Sequence, residues 1–329
     1  MREQEAGRAK GASARAQAWS RYWASGARHS CTGSFEDHYG TATRAFWQAQ
    51  FLALDANDHV LELGCGNGSL IRLLNDAGRE HWPARIDGVD LARLDAGWLD
   101  RLQPDMLARV RLHANTPATA LPTADGEITR LYSQFALEYF ATDAVWRELE
   151  RVAAPSAGFA AIMHHRGSHL CRLAQAEQAH CDWLLSPGGP LEHARRMLPL
   201  LAGDGEARRG GDARYMREEF NAVFTALSER AARLGFGDVL HDTAERAMQI
   251  LSSAAARGEP EAAATLQELA RSVEDNRLRV AELTTHALDR DAAQGWARRL
   301  STLGFAGVEL GEVVEQGYLF GWRLCARRP

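Results

Sequence analysis

The sequence predicts an α/β protein: a doubly wound, mostly parallel sheet whose text is broken by a long helical insertion. Three observations predict it. Between residues 58 and 165 short apolar runs alternate with amphipathic stretches, and strands separated by helices pair in parallel with both faces covered. A glycine-rich turn, GCGNG (64–68), joins the first of these runs to the first helix. Residues 166–290 then lose all two-residue alternation, and strand text returns only near the C-terminus.

Taken in order, residues 1–17 read as loosely helical. Residues 19–50 concentrate aromatics (Trp19, Tyr22, Trp23, Phe35, Tyr39, Phe46, Trp47) punctuated by Gly26, Gly33 and Gly40. That pattern suggests a helix, an irregular loop and a second helix. HVLELG (59–64) is the first strand, and SLIRLLNDAG (69–78) follows with apolar residues at helical spacing and Gly78 as its stop. ARIDGVD (84–90), RVRLHAN (109–115) and EITRLYSQ (127–134) read as strands, and AVWRELERV (144–152) as a helix. RVAAPSAG reads as a solvated loop, turning at Pro155 and Gly158 into the fifth strand, GFAAIMHH (158–165).

Within the insertion, REEFNAVFTALSERAARLG and ATLQELARSVEDNRLRVAELTTHAL read as amphipathic helices, and GDGEARRGGDAR as a solvated loop. Sheet text resumes at WARRLSTLGF (296–305), then VELGEVV and YLFGWRLCA. Gln316-Gly317 between the last two is a plausible tight turn, which predicts an antiparallel hairpin. The expected organisation is a helical lead-in or lid at 1–57, an α/β core at 58–165 and 291–329, and a helical insertion at 166–290 that caps the substrate.

The 329 residues are 46% hydrophobic and 25% charged, with net charge −5. This balance gives no general attraction to nucleic acid or to an anionic membrane. The five cysteines (Cys31, Cys65, Cys171, Cys181, Cys325) form no C-x-x-C pair. An odd, scattered set argues for a reducing compartment. The N-terminus lacks the apolar core of a secretory signal, and no uncharged apolar run approaches the ~20 residues that span a bilayer. A soluble, cytoplasmic protein is expected.

Strand, glycine loop and helix together bring backbone N–H groups close to a ligand at a helix N-terminus. A dinucleotide fingerprint, G-x-G-x-x-G, would need glycine where Ser69 stands, and a phosphate loop would need G-K-[ST] after the turn. The spacing here is G-x-G-x-G, led by Glu62.

E-L-G-C-G-N-G (62–68) resembles the first motif of class I S-adenosylmethionine-dependent methyltransferases, with bacterial members of unassigned substrate the most similar. Asp90, ending the second strand, stands where that family uses an acid to accept hydrogen bonds from both ribose hydroxyls. SQFALEYF (133–140) is similar to the family's segment after the fourth strand. LGFAGVEL and YLFGWRLCARRP resemble its sixth and seventh strands, and residues 19–47 resemble a lead-in on some bacterial members. The resemblance implies a Rossmann-like seven-stranded sheet with an antiparallel C-terminal strand. It also implies S-adenosylmethionine as cofactor and S-adenosylhomocysteine as product.

On that resemblance the cofactor site comprises Tyr22, Glu62, Gly64, Cys65, Gly66, Asp90, Leu91, Asn115, Thr116, Gln134 and Phe135. Where many members carry an acid near the adenine, this chain has Asn115-Thr116-Pro117, so Asn115 or Thr116 bonds the exocyclic amine. Tyr22 and Trp23 form a lid, or the lead-in aromatics simply anchor their segment to the core. Cys65 reads as a small residue for the tight turn.

In open α/β sheets the ligand crevice lies beyond the carboxyl ends of the strands. That places Glu138 and Tyr139 at the substrate, with Trp23 of the lid, and makes His164 and His165 the catalytic candidates. Adjacent strand residues point to opposite faces, so one ring reaches the crevice. A neutral imidazole there takes a proton near working pH. The plainer alternative is that both rings hydrogen-bond backbone at the strand end. His169, Cys171, His180 and Cys181 lie nearby, but none of the spacings is that of a zinc site, and no metal is expected.

The leading expectation is methyl transfer to a small-molecule acceptor, with O-, N- and C-methylation all open. Transfer to a protein or RNA is the second reading. Against it stand the acidic balance, the lack of a basic tract, and SQFA where RNA amine methylation uses an NPPY-like tetrad. A non-catalytic, cofactor-binding scaffold is the third. The intact glycine loop and Asp90 argue against it, although fold alone does not establish turnover.

Overall fold

A computed structural model describes residues 2–30, 40–78, 80, 82–202, 211–234 and 239–329. The chain divides into two compact units, Met1–Arg172 with Glu282–Pro329, and Leu173–Ala281. The first unit holds seven strands: β1 (His59–Leu63), β2 (Arg85–Val89), β3 (Val110–His113), β4 (Ile128–Gln134), β5 (Ala153–His164), β6 (Ala306–Glu315) and β7 (Tyr318–Arg327). Their order is β3-β2-β1-β4-β5-β7-β6. β1 to β5 pair in parallel, and β7 runs antiparallel between β5 and β6. Winding reverses between β1 and β4, so the switch point lies at their carboxyl ends.

Helices of this unit are α1 (Arg2–Ala24), α2 (Thr41–Leu52), α3 (Ser69–Ala77), the single turn α4 (Pro104–Leu107) and α5 (Asp143–Val152). α11 (Arg290–Thr302) belongs to it as well. Because side chains alternate across a strand, each face packs its own layer. Leu61, Leu63, Leu131, Ala161, Met163 and Leu324 pack with Val145, Trp146 and Leu149 of α5 and Leu300 of α11. Val60, Tyr132, Ala160 and Ile162 pack with Phe46, Trp47 and Phe51 of α2 and Ile71 and Leu74 of α3. Every β1 residue is buried, as a central strand covered on both faces must be, whereas edge strand β3 is partly exposed.

The terminal hairpin turns on Gln316 (φ 50°) and Gly317 (φ 83°). Two consecutive left-handed residues make the turn whose twist matches antiparallel strands. Three sequence expectations are corrected. RVAAPSAG is no solvated loop, because β5 begins at Ala153. Ala153 pairs with Ile128 across a bulge before Gly158 meets Arg130, and exposed Pro155 falls within that irregularity. WARRLST is the end of α11, whose Ala293, Trp296 and Leu300 follow helical spacing onto the α5 layer. GDAR opens a helix at Gly211, while 203–210 of the same expected loop lie outside the described residues. The expected irregular loop at 31–39, with Cys31, Phe35 and Tyr39, lies outside them too.

The second unit holds helices joined by short turns and no strand among its described residues. It comprises most of α6 (His169–Leu185), α7 (Pro190–Ala202), α8 (Gly211–Leu234), α9 (Val239–Arg257) and most of α10 (Glu259–His286). Its core joins Leu184, Leu198, Phe220, Leu227, Leu240, Leu251, Leu269 and Val273. No helix among the described residues is long and apolar enough to cross a membrane. No metal-capable group of three or more side chains gathers among them.

Candidate functional site

Gly64 (φ 68°), Gly66 (φ 48°) and Gly68 (φ 69°) all adopt left-handed backbone, which costs a side-chain-bearing residue about 1–2 kcal/mol each. Space is equally restrictive. A Cβ on Gly64 would stand 2.3 Å from the Cβ of Ala136, in the segment after β4. On Gly66 it would stand 2.4 Å from the Trp23 ring, and on Gly68 2.2 Å from the Trp98 ring. The loop after β1 and the segment after β4 therefore touch at the switch point. Gly64 N–H and Cys65 N–H donate to the Val89 carbonyl at 2.8 and 3.1 Å, tying the loop to the end of β2.

Asp90 completes this tie. Its Oδ2 accepts from Gly66 N–H at 2.9 Å and its Oδ1 from Ala92 N–H at 2.8 Å. Burial raises its pKa, opposed by these N–H bonds. Each carboxylate oxygen keeps a second lone pair for a further donor. Glu62 is 3% exposed, and its Oε2 is buried without a partner. Burial, then the nearby Asp90 charge, pushes its pKa up to about 8. The Cys65 side chain turns down onto Gly88 of β2, and burial raises its thiol well above the usual value. Only its backbone belongs to the loop, where its carbonyl accepts from Gly68 N–H at 2.9 Å. Leu91 is exposed. Asn115, at φ 53°, and Thr116 return to this segment through N–H bonds to the Ala92 and Asp90 carbonyls at 3.2 and 2.9 Å.

The lead-in reaches the loop differently from expectation. Trp23, rather than Tyr22, lies against Gly66. The Tyr22 hydroxyl donates to the His29 carbonyl at 2.7 Å. Asn67 was missed from the sequence. From the centre of the glycine loop its Nδ2 donates to the Trp23 and Ala27 carbonyls at 2.9 and 2.8 Å. An amide between two turn glycines was the available signal. Trp98 carried none, because nothing local pairs it with Gly68.

The second half of the site stands at the ends of β4 and β5. Gln134 faces α2, where its Oε1 accepts from Trp47 Nε1, and its Nε2 is buried without a partner. Phe135 is left-handed (φ 50°), and this turn sets its ring centroid 4.4 Å from that of His164. Glu138 and Tyr139 lie on the short turn Leu137–Tyr139. Glu138 Oε1 accepts from the His164 backbone N–H at 2.7 Å and lies 3.4 Å from His164 Nδ1. The Tyr139 hydroxyl lies 3.3 Å from His164 Nε2. Nδ1 is buried without a hydrogen-bond partner, and Nε2 faces the Tyr139 hydroxyl.

The two histidines part company. His164 is buried, and burial lowers its pKa to about 3. His165 stacks on Trp322 at 4.3 Å, and its Nδ1 accepts from Gly167 N–H at 2.8 Å. It stands apart from Glu138 and Tyr139, as one of two adjacent strand residues must. Arg15 of α1 closes the cluster from outside, donating to the Tyr139 carbonyl at 2.9 Å and to Glu282 at 2.7 Å. His286 sits beside it, 5.5 Å from the Tyr139 ring. Their meeting left no sequence signal, because Arg15 stands 267 and 271 residues from Glu282 and His286 along the chain. A groove of about 740 Å³ lies elsewhere, between α2 and the outer strands, lined by Ala42, Ala49, Arg323 and Cys325.

Residues 60–156 match the model of a methyltransferase domain. No curated protein matches the chain. Among solved structures, geranyl diphosphate C-methyltransferase from Streptomyces coelicolor A3(2) is 17% identical, with TM-score 0.33, over 38% of this chain and 44% of that one. An S-adenosylmethionine-dependent methyltransferase from Aquifex aeolicus is 18% identical, with TM-score 0.32, over 39% of this chain and 65% of that one. One from Mesorhizobium loti is 21% identical, with TM-score 0.28, over 39% and 56%. The chain thus spans 44% to 65% of the length of these three structures. The matched residues hold β1 to β4, the glycine loop and the start of β5, so the sheet unit carries a methyltransferase domain.

Proposed function

We propose that this protein transfers a methyl group from S-adenosylmethionine to a small-molecule acceptor. The observation that carries the reading is the left-handed glycine loop at the switch point, bound through Gly66 N–H to Asp90. The residues present fit the cofactor. Three positions exclude any side chain, Asp90 has lone pairs left for ribose hydroxyls, and the orphaned Glu62 Oε2 awaits a donor. Gly64, Cys65 and Gly66 would hold it through backbone, with Asp90, Leu91, Asn115, Thr116 and Phe135 as further contacts. When bound, it supplies an electrophilic methyl group on a sulfonium.

The chain's own part is alignment and exclusion of water. The Trp23 and Phe135 faces suit a poorly solvated cation. Of the paired histidines, His164 is the one placed beside Glu138 and Tyr139. A small acceptor fits better than a protein or RNA because that polar cluster is enclosed, with Glu138 5% and His164 1% exposed. Titration calorimetry tests the reading. S-adenosylmethionine and S-adenosylhomocysteine should bind and NAD should not. Asp90→Ala should weaken binding about tenfold or more by removing charge-assisted hydrogen bonds. NAD binding without S-adenosylmethionine binding would overturn it.

A further inference from the structure

Resting on the methyl-transfer reading, we infer that Glu138 is the group that accepts the acceptor's proton, and that the acceptor is an aromatic molecule carrying a phenolic hydroxyl. Glu138 is held by one oxygen and idle at the other. Its Oε1 is fixed by the His164 backbone N–H at 2.7 Å, while Oε2 is buried with no partner. A buried polar atom left unpaired costs free energy, so its persistence marks a place for a donor that arrives with a ligand. Among the described residues nothing cationic neutralises this carboxylate. Arg15, the nearby guanidinium, is committed to Glu282 and to the Tyr139 carbonyl.

The surroundings select the donor. Phe135 packs on His164, Trp19 stands edge-on to Tyr139 at 6.3 Å, and Trp19 stacks on Trp23 at 5.6 Å. These faces favour a flat conjugated ring by offset and edge contacts. Burial pushes the Glu138 pKa up to about 7, opposed by the His164 N–H. Its titratable and charged neighbours are His164, Tyr139, His286, Cys171, Arg15 and Glu282. A base of that strength faces a gap of about three units to a phenol, whose pKa is about 10. A saturated alcohol is an acid about as weak as water, far weaker than a phenol, and lies beyond its reach.

In the step, the acceptor's O–H bond breaks and its proton goes to Glu138 Oε2. The oxygen's electron pair forms the new O–C bond as the methyl C–S bond breaks and its electrons return to sulfur. Glu138 ends neutral and later loses the proton to solvent. His164, lowered to about 3 by burial, is too weak a base for this step. It acts as a positioning residue: its backbone N–H fixes Glu138 Oε1, and its ring lies against the carboxyl, with Nδ1 3.4 Å from Oε1 and Nε2 3.3 Å from the Tyr139 hydroxyl.

The test uses the full chain with S-adenosylhomocysteine bound, titrated from about pH 5 to about pH 9 by infrared difference spectroscopy. Besides the band of Glu62, which titrates at about 8, a protonated-carboxyl band should disappear near neutrality and be absent in Glu138→Gln. His164→Gln should shift its midpoint, which a merely structural role would not do. Single-turnover transfer is then measured with 2-naphthol, 2-naphthylamine and 2-naphthalenemethanol. Transfer to 2-naphthol alone is expected, rising with pH through the same midpoint and falling about 100-fold or more in Glu138→Gln. If Glu138→Gln fails to fold, Glu138→Asp replaces it, with the band shifted and transfer reduced. No titrating band, no transfer to 2-naphthol, or equal transfer to the amine or the saturated alcohol overturns the inference. Failure of S-adenosylmethionine to bind in calorimetry would instead overturn the reading beneath it.

Discussion

In the helical unit, the buried side chains from α6 to α10 are aliphatic and aromatic, with His193 and Thr243 the buried polar ones among the described residues. His193 is satisfied locally, its Nδ1 bonding the Gly189 carbonyl at 3.0 Å. Charges stay on the surface as helical pairs such as Arg214–Glu218 and Arg246–Asp242. The sheet unit buries Glu62, Asp87, Glu138 and His164 instead, and leaves Glu62 Oε2, Glu138 Oε2 and His164 Nδ1 without partners. Three of these four sit at the carboxyl ends of β1, β4 and β5. Burying a charge is costly unless it is paired, so a fold that tolerates several in one place uses them. The helical unit leaves Thr243 Oγ1 unpaired as well, so the contrast lies in the buried carboxylates, which the sheet unit gathers at its strand ends.

The largest expected effect breaks the comparison on its stable side. Leu269→Ala empties a fully buried position of the helical core and should cost about 2–5 kcal/mol in chemical denaturation. If the functional site belongs to the sheet unit, S-adenosylmethionine affinity of the folded variant stays unchanged. Gly66→Ala reverses the pattern. Its Cβ meets the Trp23 ring in left-handed backbone, at about 1–3 kcal/mol in stability, and cofactor binding should be lost in calorimetry.

Glu62→Gln sharpens the contrast through pH. The folded pKa of about 8 lies above the ordinary 4.5, so the fold favours the protonated acid. Its contribution is fully present below about 4.5 and lost as pH rises through about 8. The glutamine variant should therefore match wild type near pH 4 and exceed it near pH 9 by about 1 kcal/mol or more, read as a difference in melting temperature. At the small end, Arg214→Ala removes an exposed ion pair in the helical unit and should change stability by less than about 0.5 kcal/mol. A larger loss would mean that the surface of that unit carries more than solvation.

The parts of the site legible in the sequence were those set by local pattern. HVLELG followed by three spaced glycines reads as strand, loop and helix because each glycine is required where it stands, by positive φ and by contact. Asp90 was found because a strand ending in an acid is a local feature. Gln316-Gly317 was found because a two-residue hairpin turn has its own chemistry. The choice between His164 and His165 was not legible, since strand alternation says that they differ but not which faces the crevice. The start of β5 was missed because a bulge around Pro155 hides pairing that only the neighbouring strand reveals.

By itself the sequence determined the first four strands, the glycine loop and the acid at the end of β2. These depend on backbone dihedrals and on periodicities of two and 3.6, which act over a few residues. Tertiary structure alone decided that Trp23 lies on Gly66, that Trp98 lies on Gly68, and that Arg15 meets Glu282. It alone decided that Glu138 is buried beside His164 with one oxygen unpaired. Desolvation and close packing depend on which distant segments arrive at the same place, and that information is spread over the whole chain.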